Sequence, residues 1–172
     1  MNSKTRHCHD GQDHARIRNA VRLTRMETGI ELIVNVADAL PLGLKVHAGE
    51  RDATLKRLMK QSGAAIVRTA RQCSFSPAMA NHAEKLRDAI LRKLAAIAQK
   101  PLSPRKVEKI LSISPAERLR WSKNGRLRQS GTAQILRGSK IRLCTYPPQE
   151  IERLSVNPEI IAAWRQADCA QS

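Results

Sequence analysis

Three Ser-Pro pairs punctuate this 172-residue chain, at Ser76-Pro77, Ser103-Pro104 and Ser114-Pro115. Serine favours the position just before a helix, where its hydroxyl can take an unpaired amide proton. Proline favours the first helical position, where its missing N–H costs nothing. Each pair therefore predicts a helix start, and no regular element can run through any of them. After the first, Met79, Ala83, Leu86, Ile90 and Ile97 recur at helical spacing, and Leu94 widens the stripe. A helix of about 20 residues spans about 30 Å. The stripe suits packing inside its own domain. It also suits a short heptad seam, so these five residues are the candidate homodimer contact, although Lys93 weakens a strict seam.

Upstream, residues 1–14 are polar and read as a flexible tail. His7, Cys8, His9 and Asp10 are adjacent, with no scaffold to fix a metal geometry, so neither a metal site nor a cofactor is expected. Residues 15–25 suggest a short helix, through Ile17 and Val21, stopped by Gly29. Ile30, Leu32, Val34 and Val36 alternate as a strand with one buried face. Leu42, Leu44 and Val46 repeat the alternation after Pro41, which predicts a small strand pair; a helix through residues 34–40 is the alternative. Residues 50–72 look helical, with a break at Ser62-Gly63, and residues 73–77 look like a turn.

Lys100-Pro-Leu-Ser-Pro104 reads as a linker between a domain of residues 15–99, mostly helical or α+β, and a second of residues 105–167, followed by a tail of residues 168–172. Charge shifts here. The whole chain has 31 Lys and Arg against 15 Asp and Glu, a formal +16. Residues 100–142 alone carry 12 basic residues and two acidic ones, Glu108 and Glu117. An excess of this kind favours a polyanionic partner.

Within that segment, Val107, Ile110 and Leu111 give a short first helix one apolar side, and Ile113 plugs the turn after it. Ser114 and Glu117 have capping-box spacing, and Asn124-Gly125 supplies a stop. Ala116 and Leu119 are expected to face the first helix. Two short helices with a basic second member match a helix-turn-helix, whose second helix enters the major groove with its early residues near base edges. Arg118, Arg120, Lys123 and Arg126 are then the recognition-helix candidates. Arg118 is the foremost base reader, because its planar fork can grip guanine or phosphate; Lys123 and Arg126 suit phosphate. Trp121 is read as core rather than as a stacking platform. Residues 133–136 and 141–145 predict two strands with a basic tip at 137–140. Arg128, Arg137, Lys140 and Arg142 would be backbone contacts from this wing. Its charges could equally defend a solvated hairpin's edges. Ile151, Leu154, Ile160, Ile161 and Trp164 close the domain through two further helices, whose acidic residues Glu150, Glu152 and Glu159 turn that end away from a nucleic acid.

These residues resemble the winged helix-turn-helix of the MerR-like and phage excisionase group over about residues 102–155. That pattern has a small apolar residue and Ser, Trp seven after the Ser, and Gly four further on, as in Ile113-Ser114, Trp121 and Gly125. After the wing it has Tyr, an acidic residue four on, an apolar residue and Leu, as in Tyr146, Glu150, Ile151 and Leu154. The family's Leu-Arg-Tyr-Trp is here Arg118-Leu119-Arg120-Trp121, and Arg126 stands where leucine is usual. The resemblance implies a mainly α protein with a C-terminal β-hairpin wing, acting on double-stranded DNA as a bacterial-type transcriptional regulator. It implies no metal sensing, since the effector cysteines of the metal-sensing members are missing.

Other functions make different demands. An excisionase-like factor would bend DNA, and an RNA-binding accessory protein would prefer structured RNA. A nucleic-acid-processing enzyme needs a catalytic set. The sequence has no GxGxxG, P-loop, HExxH or GxSxG, and neither Asp38 with His47 nor His82 with Glu84 has a recognisable pairing, so no enzyme is expected. No apolar run is long enough to span a bilayer and the N-terminus lacks the apolar stretch of a secretory signal, so a cytoplasmic location is expected. Cys8, Cys73, Cys144 and Cys169 are too far apart for a CxxC and are read as reduced thiols.

Overall fold

A computed structural model describes residues 4–36, 40–66, 71–137 and 139–170, and of these the side chains of 4–10, 66 and 134–142 are not described. The protein is mainly α-helical with two small antiparallel sheets, and it divides into two units, Met1–Ala98 and Gln99–Ser172.

The first unit is built on a four-stranded sheet. A helix α1 (Lys4–Ala20) leads into β1 (Val21–Met26), which turns over Glu27 and Thr28 into β2 (Gly29–Val34). Two helices follow, α2 (Leu42–Val46) and α3 (Ala48–Gln61), then β3 (Ala65–Ile66) and β4 (Gln72–Phe75). The strand order is β1-β2-β4-β3, antiparallel throughout. A single 3-10 turn, Pro77–Met79, opens the long helix α4 (Ala80–Ala98). The expected alternation in β2 holds: Ile30, Leu32 and Val34 are buried. They share one aliphatic core with Ile17 of α1, Leu55 and Met59 of α3, Cys73 and Phe75 of β4, and the α4 stripe.

Several expectations are corrected here. Part of the polar tail is helical, because α1 continues N-terminally from a turn anchored by buried Ile17 and by Arg16, whose guanidinium donates to the Leu40 carbonyl at 2.8 Å. The helix expected over residues 15–25 ends at Ala20. Val21–Met26 pairs with β2, and Gly29 opens that strand instead of stopping a helix. Leu42, Leu44 and Val46 lie on a helix, not a strand. Its start is set by Pro41, and Gly43 packs so closely on α4 that a side chain there would overlap the Ala98 carbonyl. α3 ends at the predicted break, where Gly63 has φ +69°, and helix does not resume. β3 follows, and the residues read as a turn form β4, whose Cys73 and Phe75 complete the core. The candidate dimer stripe is internal. Ala83, Leu86, Ile90 and Ile97 are buried and Met79 packs against the same core, so these residues are already covered by their own chain.

The second unit begins with a one-residue bridge between Leu102 and Tyr146, which exchange both backbone hydrogen bonds. The expected linker is therefore partly structured. Helices α5 (Pro104–Leu111) and α6 (Pro115–Lys123) are followed by a hairpin of β5 (Gly131–Arg137) and β6 (Ser139–Thr145). Two helices close the unit, α7 (Pro148–Ser155) and α8 (Pro158–Cys169). Asp168, expected in a tail, is in the last turn of α8. Among the described residues the unit's buried core includes Leu102, Val107, Leu111, Ile113, Trp121, Leu127, Tyr146, Ile151, Leu154 and Ile161. Trp121 is fully buried, as expected, and meets Trp164 edge-on, with ring centroids 5.1 Å apart and planes at 69°.

Candidate nucleic-acid interface

α5 and α6 are joined by three residues. Ser112 takes the left-handed conformation (φ 51°, ψ 47°), Ile113 plugs the core, and Ser114 is extended and caps α6. A left-handed residue reverses the chain within this short span, and serine accepts the strain. Of the three Ser-Pro starts, only Ser114 makes the side-chain cap; Ser76 and Ser103 sit at the capping position without one. The Ser114 hydroxyl accepts from the Glu117 amide at 3.1 Å, and the Ser114 amide donates to Glu117 Oε2 at 2.7 Å. Glu117 Oε1 also receives Arg165 Nε of α8 at 2.7 Å, and Arg165 reaches the Ser112 carbonyl at 2.9 Å. The Arg165 hydrogen bond, helped by the Ser114 amide and hydroxyl against the opposing effect of burial, pulls the Glu117 carboxyl down to about 2. Both ends of α6 are thus fixed, with Gly125 (φ +81°) turning the chain after Asn124.

The expected recognition residues fall into three groups. Arg118 points inward. Its Nε donates to Glu108 Oε1 of α5 at 2.7 Å and its NH1 to the Tyr146 hydroxyl at 2.9 Å, with only 11% of the side chain exposed. Burial opposes its charge, but these partners outweigh burial and hold the guanidinium above its ordinary range. Arg118 is therefore a strut between α5, α6 and Tyr146 at the end of β6, and its guanidinium is already bonded within its own unit. Arg120 and Arg126 converge on Asp168, at 2.7 and 2.8 Å; Arg126 also reaches the Trp164 carbonyl at 3.3 Å. Asp168 further accepts the Trp121 indole N–H at 2.7 Å, and that bond, with the two arginines, holds its carboxyl below the usual range against its desolvation. Arg120 remains 53% exposed.

Lys123 and Arg128 are exposed, with no carboxylate partner among the described residues, and so are Arg105 and Lys109 on α5. In the hairpin, Arg137 pairs across from Ser139, Lys140 from Leu136 and Arg142 from Gln134. Their side chains, and Gly138, lie outside the described residues.

The outward face of α6 also departs from expectation. Ala116 is exposed and Leu119 is 58% exposed, so neither packs on α5. The reason is register: Trp121, Arg118 and Ser122 occupy the inward side, which leaves 116, 119, 120 and 123 together on the other. The carboxylates that bind the arginines carry no sequence signal, since Asp168 lies 42 to 48 residues from its partners and Arg165 48 from Glu117.

Other chemistry is sparse. Asp38 lies outside the described residues, and no group of three His, Cys, Asp or Glu among those described can hold a metal ion. In the first unit, an open groove of about 430 Å³ is lined by His14, Arg18, Lys85, Asp88 and Arg92 of α1 and α4. No described helix is long and apolar enough to cross a membrane. Burial raises the Cys73 thiol to about 11, so that cysteine is an inert core group. No protein-family model, curated protein or solved structure matches the chain.

Proposed function

We propose that residues 99–172 form a winged helix-turn-helix, with α6 as recognition helix and β5–β6 as wing, and that the protein binds duplex DNA selectively as a bacterial-type regulator. The observation that carries this reading is α6 itself: a nine-residue helix fixed at both ends, joined to α5 by a three-residue turn, with an outward face that its own unit leaves uncovered. The segment around it has a charge of +10 over 43 residues. The spacing shared with MerR-like and excisionase proteins points the same way as a resemblance. In this reading Lys123, Arg128 and the hairpin cations neutralise phosphates, and Arg118 keeps α6 at a set angle to α5. Direct binding would depend strongly on salt, because every neutralised phosphate releases counterions.

The test is selection of bound fragments from random and genomic duplexes by the full chain at physiological salt, with structured RNA as competitor. Enrichment of a duplex sequence that RNA does not displace supports the reading. Retention of RNA without any enriched duplex overturns it. On an enriched fragment, a measured bend separates an architectural role from a purely regulatory one.

A further inference from the structure

Resting on the duplex-binding reading, we infer that α6 selects its site through the methyl groups of thymine, contacted by Ala116 and Leu119. Side chains that read bases by paired hydrogen bonds are Arg, Lys, Asn and Gln. On α6 they are mostly committed or badly placed. Arg118 is engaged by Glu108 and Tyr146, and Arg120 is tied to Asp168. Lys123 stands at the C-terminal end, whereas the early residues of a recognition helix approach the bases. Besides the Asp168-bound Arg120, what the first two turns present outward is Pro115, Ala116 and Leu119.

A lone exposed leucine is ordinary. Leu119 is not alone, since it shares its face with Ala116 one turn earlier and is flanked by the cations Arg120 and Lys123. An apolar spot bordered by positive charge fits a surface that is itself apolar in places and anionic around them. In the major groove the apolar feature of the base pairs is the C5-methyl of thymine, and the phosphates lie on either side. The same face is a poor fit for an apolar protein groove, because its cations would have to be desolvated on docking.

The experiment uses the full chain and the duplex enriched by selection, with each thymine replaced in turn by deoxyuridine, which removes only the methyl group. Wild type should lose about fourfold in affinity at one or two positions, the change expected for a single desolvated methyl. Leu119→Ala should bind the thymine duplex more weakly and lose most of that sensitivity, with an unchanged unfolding midpoint because Leu119 is exposed. Equal response of wild type and Leu119→Ala at every position, or none in either, overturns the inference while leaving duplex binding intact. Self-association abolished by Leu119→Ala, with DNA affinity unchanged, also overturns it. Failure to enrich any duplex removes the underlying reading and this inference with it.

Discussion

The two units have the same net charge and distribute it differently. Up to Ala98 there are 17 basic and nine acidic residues, and from Gln99 there are 14 and six, so each unit has a formal +8. In the first, the acids are spread along the chain, from Asp10 to Asp88. Even its basic groove has Asp88 among its cations. In the second, the acids are concentrated in the closing helices, and Asp168 reaches back to Arg120 and Arg126 while Arg165 reaches Glu117. The cores differ too. The first unit has Phe75 as its one aromatic residue, whereas the second contains both tryptophans and the one tyrosine. A small unit has little apolar area to bury. Here it combines large aromatic rings with arginine–carboxylate ties. Net charge alone therefore does not identify an interface; what matters is which cations remain without a carboxylate after folding.

The largest expected effect tests the aromatic side of that contrast. Trp121→Ala removes a fully buried ring, its edge-on contact with Trp164 and a hydrogen bond to Asp168, and should cost about 3–5 kcal/mol. Urea unfolding followed by the fluorescence of Trp164 reports the second unit, because both tryptophans are in it. A loss under 1 kcal/mol would mean that the aromatic cluster does not hold this unit together.

Next comes the division between structural and exposed cations. Arg118→Ala leaves Glu108 and the Tyr146 hydroxyl short of a partner in a half-buried setting and should cost about 2 kcal/mol. Lys123→Ala should change stability by less than about 0.5 kcal/mol. Chemical denaturation of the two variants side by side checks the ordering, and equal losses would contradict it.

The capping network has a pH signature. The Glu117 carboxyl is held at about 2, below its ordinary 4.5, so the stabilisation it provides is complete above about pH 4.5 and is lost as pH falls towards 2. Glu117→Gln keeps a capping-box residue but loses the charge that pairs with Arg165; it should lower stability at neutral pH by about 1 kcal/mol and flatten the acid limb of the stability profile. Thermal unfolding from pH 2 to 7 reads both, and an unaltered acid limb would place the acid sensitivity elsewhere. The smallest effect concerns the turn. Ser112→Gly relieves a left-handed residue and should stabilise by about 0.5 kcal/mol, the relief of strain being partly offset by glycine's greater freedom when unfolded.

Much of this was legible in the sequence where the signal is local. The capping box at Ser114 and Glu117, the α4 stripe, the alternation of β2 and the burial of Trp121 are set by neighbours within a few residues. Leu42–Val46 is ambiguous in the sequence because three alternating apolar residues fit a strand as well as a short helix, and the packing of Gly43 on Ala98 of α4 is not visible there. Cys73–Phe75 was misread because a strand flanked by serines, one of them before proline, looks like a turn until its partner β2 is known. The inward turn of Arg118 is not legible in the sequence for a different reason. Its chemistry suits a guanine edge and a buried carboxylate equally, and Glu108 and Tyr146, 10 and 28 residues away, choose the second. The outward turn of Leu119 follows from the same choice.

The most direct measurement is the salt dependence of binding to the selected duplex, for the wild-type chain and for the Lys123→Ala, Arg128→Ala double variant. Each phosphate contact contributes about 0.9 to the slope of log affinity against log salt. The wild-type slope should be steep and should fall by about 1.8 in the double variant, with the unfolding midpoint unchanged. A wild-type affinity that barely responds to salt, or a slope that the double variant leaves intact, would contradict it.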